Sequence, residues 1–162
     1  MTVSNSTVLI SLIKIERVDL IKNIFDNIII TNTINNELTE RRDLYKNDIR
    51  IFDDLLANNF ILVKKPKKLR DFELHEGENS CLSLCKETNN KIFLSDDKDA
   101  RKAADSLGIN VIGTLGILIL NLEKKKINKK EFFEILKKLI DKGFYISIEL
   151  FAAVEEYVNE KF

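Results

Sequence analysis

Apolar residues are grouped along the chain in two ways. Residues 2–4, 28–30, 60–63, 91–94 and 110–112 are short runs, mostly apolar and rich in β-branched residues, as expected of parallel strands covered on both faces. Between them, apolar positions recur at helical spacing, as in Leu9, Leu12 and Ile13 and again in Leu20, Ile21 and Ile24. The pattern predicts helices over residues 32–44, 80–88, 98–107, 114–124, 128–142 and 147–161. Gly143, after a basic last turn, is a helix stop. Strands alternating with helices predict right-handed βαβ units, hence an α/β fold with a short parallel sheet and a helical C-terminal part. Residues 64–77 hold the single proline and the single histidine and read as a loop or short helix inside the domain.

A length of 162 residues suits a single domain spanning 1–162. Lys+Arg and Asp+Glu tie at 26 each, so no global charge draws the protein to nucleic acid or membrane. Any such binding has to come from a local patch. Two cysteines, Cys81 and Cys85, make no disulfide scaffold, and they suggest a reducing cytoplasm as the location. The longest apolar stretch, residues 111–120, is about half the ~20 residues of a membrane helix. The N-terminus lacks the basic region of a signal peptide. A lone His75 excludes His-rich metal sites and His-based triads. Gly113-Thr114-Leu115-Gly116 has neither the lysine nor the spacing of a phosphate loop.

In open α/β sheets the functional crevice lies beyond the carboxyl ends of the strands. After the first predicted strand come Asn5, Ser6 and Thr7. After the second comes a helix carrying Glu37. Glu78 lies at the next helix start, and Ser95, Asp96 and Asp97 follow the fourth strand. Carboxylates gathered on one rim repel unless a hard cation neutralises them, and Mg²⁺ or Mn²⁺ takes oxygen ligands of this kind. Such an ion can activate water and stabilise charge on a phosphodiester. Each acid also has an ordinary use. Glu78 suits a helix N-terminus by its dipole, Asp96 or Asp97 suits a helix cap, and Glu37 suits a solvated face.

Taken in order, these segments resemble PIN-domain ribonucleases, in particular a VapC-like branch of toxin–antitoxin type. The resemblance rests on Val3-Ser4-Asn5-Ser6-Thr7, Asn36-Glu37-Leu38, Gly77-Glu78, Leu94-Ser95-Asp96-Asp97, Leu107-Gly108-Ile109-Asn110-Val111-Ile112-Gly113-Thr114 and Gly143-Phe144-Tyr145-Ile146-Ser147. It implies a three-layer α/β/α sandwich and an endoribonuclease-type hydrolase with a Mg²⁺ or Mn²⁺ site. The catalytic and metal positions it carries over are Asn5, Glu37, Glu78 and Asp97, with Asp96 assisting. RNA is the implied substrate, and a cognate antitoxin and a homodimer are the implied partners. Ser6 matches a hydroxyl of the opening motif; Ser95, Arg101 and Lys102 stand where they could contact substrate.

The departures bear on chemistry. Asn5 stands where the family has aspartate, which removes a unit charge and an anionic oxygen and should lower metal affinity. Activity is therefore expected to be weak or absent, and a PIN-fold module binding RNA or protein without cleavage is the alternative. Ser80 replaces the second glutamate of the family's third motif. The basic run Lys64, Lys65, Lys67, Lys68 and Arg70 is either a solvated loop or a phosphate contact. Cys81 and Cys85, four apart on one helical face, are expected to be buried thiols.

Overall fold

The structure, a computed structural model, describes residues 2–41 and 44–162. In chain order its elements are β1 (Thr2–Ser4), α1 (Ser6–Lys14), α2 (Asp19–Lys22), β2 (Ile28–Thr31), α3 (Asn32–Glu40), α4 (Lys46–Ala57) and β3 (Ile61–Lys64). They continue with α5 (Glu76–Glu87), β4 (Ile92–Leu94), α6 (Lys98–Ser106), β5 (Asn110–Ile112), α7 (Thr114–Glu123), α8 (Lys129–Asp141) and α9 (Ile148–Lys161). The strands form one parallel sheet in the order β3-β2-β1-β4-β5. All five predicted strands are present, with ends shifted by one residue at most.

Every residue of β1 and β2 is buried. Successive strand side chains point to opposite faces, so both faces of the central strands are covered. Helix α5 lies against β1, β2 and β4, while α1 packs with α3, α4 and α7. Phe93 of β4 and Ile29 of β2 are fully buried in a core that extends to Phe132 of α8 and Val158 of α9. The C-terminal helices are thus part of the same core.

The strand order places β1 beside both β2 and β4, and the chain changes direction across the sheet there. Ser4 pairs with Leu94, and the Asn5 amide donates to the Leu94 carbonyl at 2.8 Å. The two strands therefore end side by side, and the residues that follow them open the crevice expected at such a switch point.

Two predicted boundaries change by four residues, and one helix is added. The helix predicted over 32–44 ends at Glu40, with Arg41 extended, and its residues 42 and 43 lie outside the described residues. The helix predicted over 80–88 begins four residues earlier, at Glu76, because His75 is extended and Glu76 and Glu78 fill the favourable first turn. Helix α4 is an addition to the predicted elements. Its Tyr45 N–H donates to Asp48 at 2.9 Å, while Phe52 and Leu55 face the core. Residues 65–75 are irregular, and Lys67 and Arg70 donate backbone N–H groups to Glu87 and Ser83 along α5. Among the described residues no helix is long and apolar enough to cross a membrane.

Cys81 and Cys85 are buried and unpaired. Burial raises the Cys81 thiol pKa well above its ordinary range and pushes that of Cys85 up to about 12. Neither thiol is expected to react with a thiol-specific disulfide reagent near neutral pH until the protein unfolds, and reaction of the native protein would contradict this burial. Replacing the fully buried Phe93 by alanine should cost about 3–5 kcal/mol in urea unfolding.

Candidate active site

Asn5 is the cap of α1 and is 1% exposed. Its Oδ1 accepts from the Ser6 N–H at 2.8 Å, which satisfies one of the orphan donors of the helix start. That bond fixes the orientation of the amide. Its Nδ2 then faces Glu78 of α5, donating to Oε1 at 2.9 Å and more weakly to Ser95 Oγ at 3.5 Å. Ser6 Oγ donates to Glu37 Oε2 of α3 at 3.3 Å. Asn5 and Ser6 thus connect two acids that lie 41 positions apart in the chain.

The acids are held closely. A Cβ at Gly77 would lie 2.5 Å from Glu37 Oε1 and 2.9 Å from Ile34 Cδ1. Glycine at this point is what lets the Glu37 carboxylate lie against the first turn of α5. Desolvation raises the Glu37 pKa above the usual carboxylate range; the Ser6 hydroxyl opposes the rise, and the charges of Glu78 and Glu76 add to it. Glu78 Oε2 is buried and, among the described residues, has no hydrogen-bond partner. A buried carboxylate oxygen without a donor is costly and is the kind of atom a cation satisfies.

The two adjacent aspartates have separate roles. Asp97 caps α6, accepting from the Ala100 N–H at 2.7 Å, and its own N–H donates to Ser95 Oγ at 3.2 Å. Asp96 turns to α7, accepting from the Thr114 N–H at 2.7 Å and from the Thr114 hydroxyl at 2.6 Å. Its N–H donates to Thr7 Oγ1 at 3.2 Å. Burial raises the Asp96 pKa, while the Thr114 bonds and Arg101 restrain the rise. A Cβ at Gly113 would lie 2.6 Å from Asp96 Oδ1, so Gly113 and Thr114 form a cradle for this carboxylate. Asp96 accordingly serves as a clamp between β4 and α7.

Of the predicted residues, Asn5, Ser6, Glu37 and Glu78 are brought into one hydrogen-bonded group, with Ser95 linking it to Asp97. Ser95 is fully buried, so it positions its neighbours and offers no surface to a substrate. Lys102 pairs with Asp99 at 3.1 Å on the exposed side of α6. Arg101 donates to the Val111 carbonyl at 3.0 Å. It also lines, with Lys98 and Lys142, a groove of about 970 Å³ whose floor includes Ile10, Leu115 and Ile146. The sequence reasoning missed Gly77, Gly113 and Thr114 as site-forming residues, although a Gly-Thr pair directly after a strand was a visible signal.

Glu37 and Glu78 suit a divalent cation by their oxygen donors and by the unpartnered Glu78 Oε2. Residue 5 does not, because it turns an N–H donor toward Glu78 in place of an anionic oxygen. Among the described residues, no three His, Cys, Asp or Glu side chains gather closely enough to hold an ion as they stand. Asp96→Ala should lower stability by about 2–3 kcal/mol, because charge-assisted bonds to a buried group are lost. Lys102→Ala should change it by less than about 0.5 kcal/mol. Urea unfolding distinguishes the two, and equal effects would contradict the clamp.

No curated protein matches the chain. A family model described as PIN domain matches residues 1–160. With its parallel sheet, its crevice at the β1/β4 switch point and the acids placed there, the chain belongs to the PIN-domain family, whose fold is generally of nuclease type.

Proposed function

We propose that the protein is an endoribonuclease-type hydrolase, dependent on Mg²⁺ or Mn²⁺ and of toxin–antitoxin type, whose activity Asn5 holds low. The observation that carries this reading is the meeting of Glu37 and Glu78 at the start of α1, with Glu78 Oε2 buried and unpartnered. Glu37 and Glu78 would be the first ligands of the ion, and Asp97 would have to turn toward them from its cap on α6 to complete the set. When bound, it would supply water activation and neutralise charge developing on a phosphodiester.

The chain's own residues prepare the rest. Ser6 and Gly77 fix the Glu37 carboxylate, and the Asn5 cap fixes the start of α1. Lys98 and Arg101, beside the Asp96–Thr114 clamp, give the groove a cationic edge that would attract the phosphates flanking a scissile bond. A cognate antitoxin and a homodimer belong to the same proposal. A second reading, a PIN-fold module that binds RNA or protein without cutting, is favoured by the Nδ2 donor that Asn5 places on Glu78.

Cleavage of a labelled structured RNA in Mn²⁺, with EDTA controls, tests the first reading against the second. The Asn5→Asp variant is expected to cut about 100-fold faster than the parent chain, with EDTA stopping both. If neither chain cuts while RNA is retained in a filter-binding assay, the catalytic reading falls and the binding module replaces it.

A further inference from the structure

We infer that the Asn5 carboxamide takes the place of a cation in this site, so that the protein reaches its full stability without a divalent ion. The inference deepens the proposed function, since it concerns the same acids, but its geometry and its readout are independent of cleavage.

Three observations combine. The Asn5 amide has one orientation, because Ser6 N–H occupies Oδ1 at 2.8 Å and leaves Nδ2 pointing at Glu78. Aspartate and asparagine cap helices about equally well, so the cap itself does not select an amide here. What distinguishes them is the N–H donated to Glu78 Oε1 at 2.9 Å. An aspartate at position 5 would instead set a carboxylate oxygen against Glu78, with Glu37 held near by Ser6. It would also remove the Asn5 donor from Glu78, beside an Oε2 that lacks a partner among the described residues. Like charges at that spacing are tolerated when a cation lies among them and are costly otherwise. The amide supplies a fixed positive dipole end in its place and satisfies Glu78 Oε1 without metal.

Thermal unfolding of the full chain in EDTA and in millimolar Mn²⁺ tests this. The parent midpoint is expected to rise by no more than about 1 °C in Mn²⁺, as weak occupancy of its site would give. Asn5→Asp should unfold about 5 °C lower in EDTA, and Mn²⁺ should restore the loss. Asn5→Ala should also fall, with no recovery in Mn²⁺, because it removes the donor without adding a charge. The double variant Asn5→Asp/Glu78→Gln should regain stability in EDTA and lose its response to Mn²⁺.

If Asn5→Asp does not fold in EDTA, circular dichroism on addition of Mn²⁺ decides: regained helicity supports the inference, and a chain that stays unfolded overturns it. It is likewise overturned if Mn²⁺ raises the parent midpoint as much as that of Asn5→Asp, or if Asn5→Asp matches the parent in EDTA. The expected thermal pattern without RNA cleavage by any variant would leave the amide's role standing and remove the nuclease reading alone.

Discussion

A single buried side chain connects the parts of this fold that make its crevice. Asn5 follows β1, caps α1 through Oδ1, and reaches Glu78 of α5 and Ser95 after β4 through Nδ2. An amide that is 1% exposed must satisfy both of its ends. Here each end is satisfied by a different element, so the positions of α1, α5 and the β4 turn depend on one another. The Asn5 N–H to the Leu94 carbonyl adds a backbone link between the same elements. Hydrogen bonds to a charged group contribute about 1.5–3 kcal/mol each, a large share of the total where stability is marginal.

Around that centre the acids fall into two groups. Glu37 and Glu78 face each other across Asn5 and Ser6. Asp97 spends an oxygen on the start of α6, and Asp96 spends both on Thr114. The glycines make these placements possible by absence of bulk, since a Cβ at Gly77 or Gly113 would overlap a carboxylate oxygen. In the proposed function this acidic crevice attacks a phosphate ester, and the amide at position 5 lowers how strongly it would hold an ion.

The sheet was legible in the sequence because strands such as Ile28–Thr31 are buried on both faces and so are nearly all apolar, whereas β1 has only Val3 between the buried Thr2 and Ser4. Helix starts were less so: Glu76, Gly77, Glu78 and Asn79 look like loop by polarity, yet they form the first turn of α5. Helix α4 carried a detectable signal in Phe52 and Leu55 at helical spacing. The site positions Asn5, Glu37 and Glu78 could be located by counting past strand ends. The different duties of Asp96 and Asp97 could not, because adjacent acids differ only in where the backbone aims them. The direction of the Asn5 amide was equally invisible, since it follows from a cap bond and a partner 73 residues away.

The central claim is that the Asn5 Nδ2 protons are engaged by Glu78. Nuclear magnetic resonance of the ¹⁵N-labelled chain observes them directly through the side-chain amide signals and their exchange with water. The expected Asn5 pair is shifted from solvent-exposed asparagines, protected from exchange in EDTA, and altered by Glu78→Gln. An Asn5 signal that exchanges like an exposed amide and ignores Glu78→Gln would contradict it.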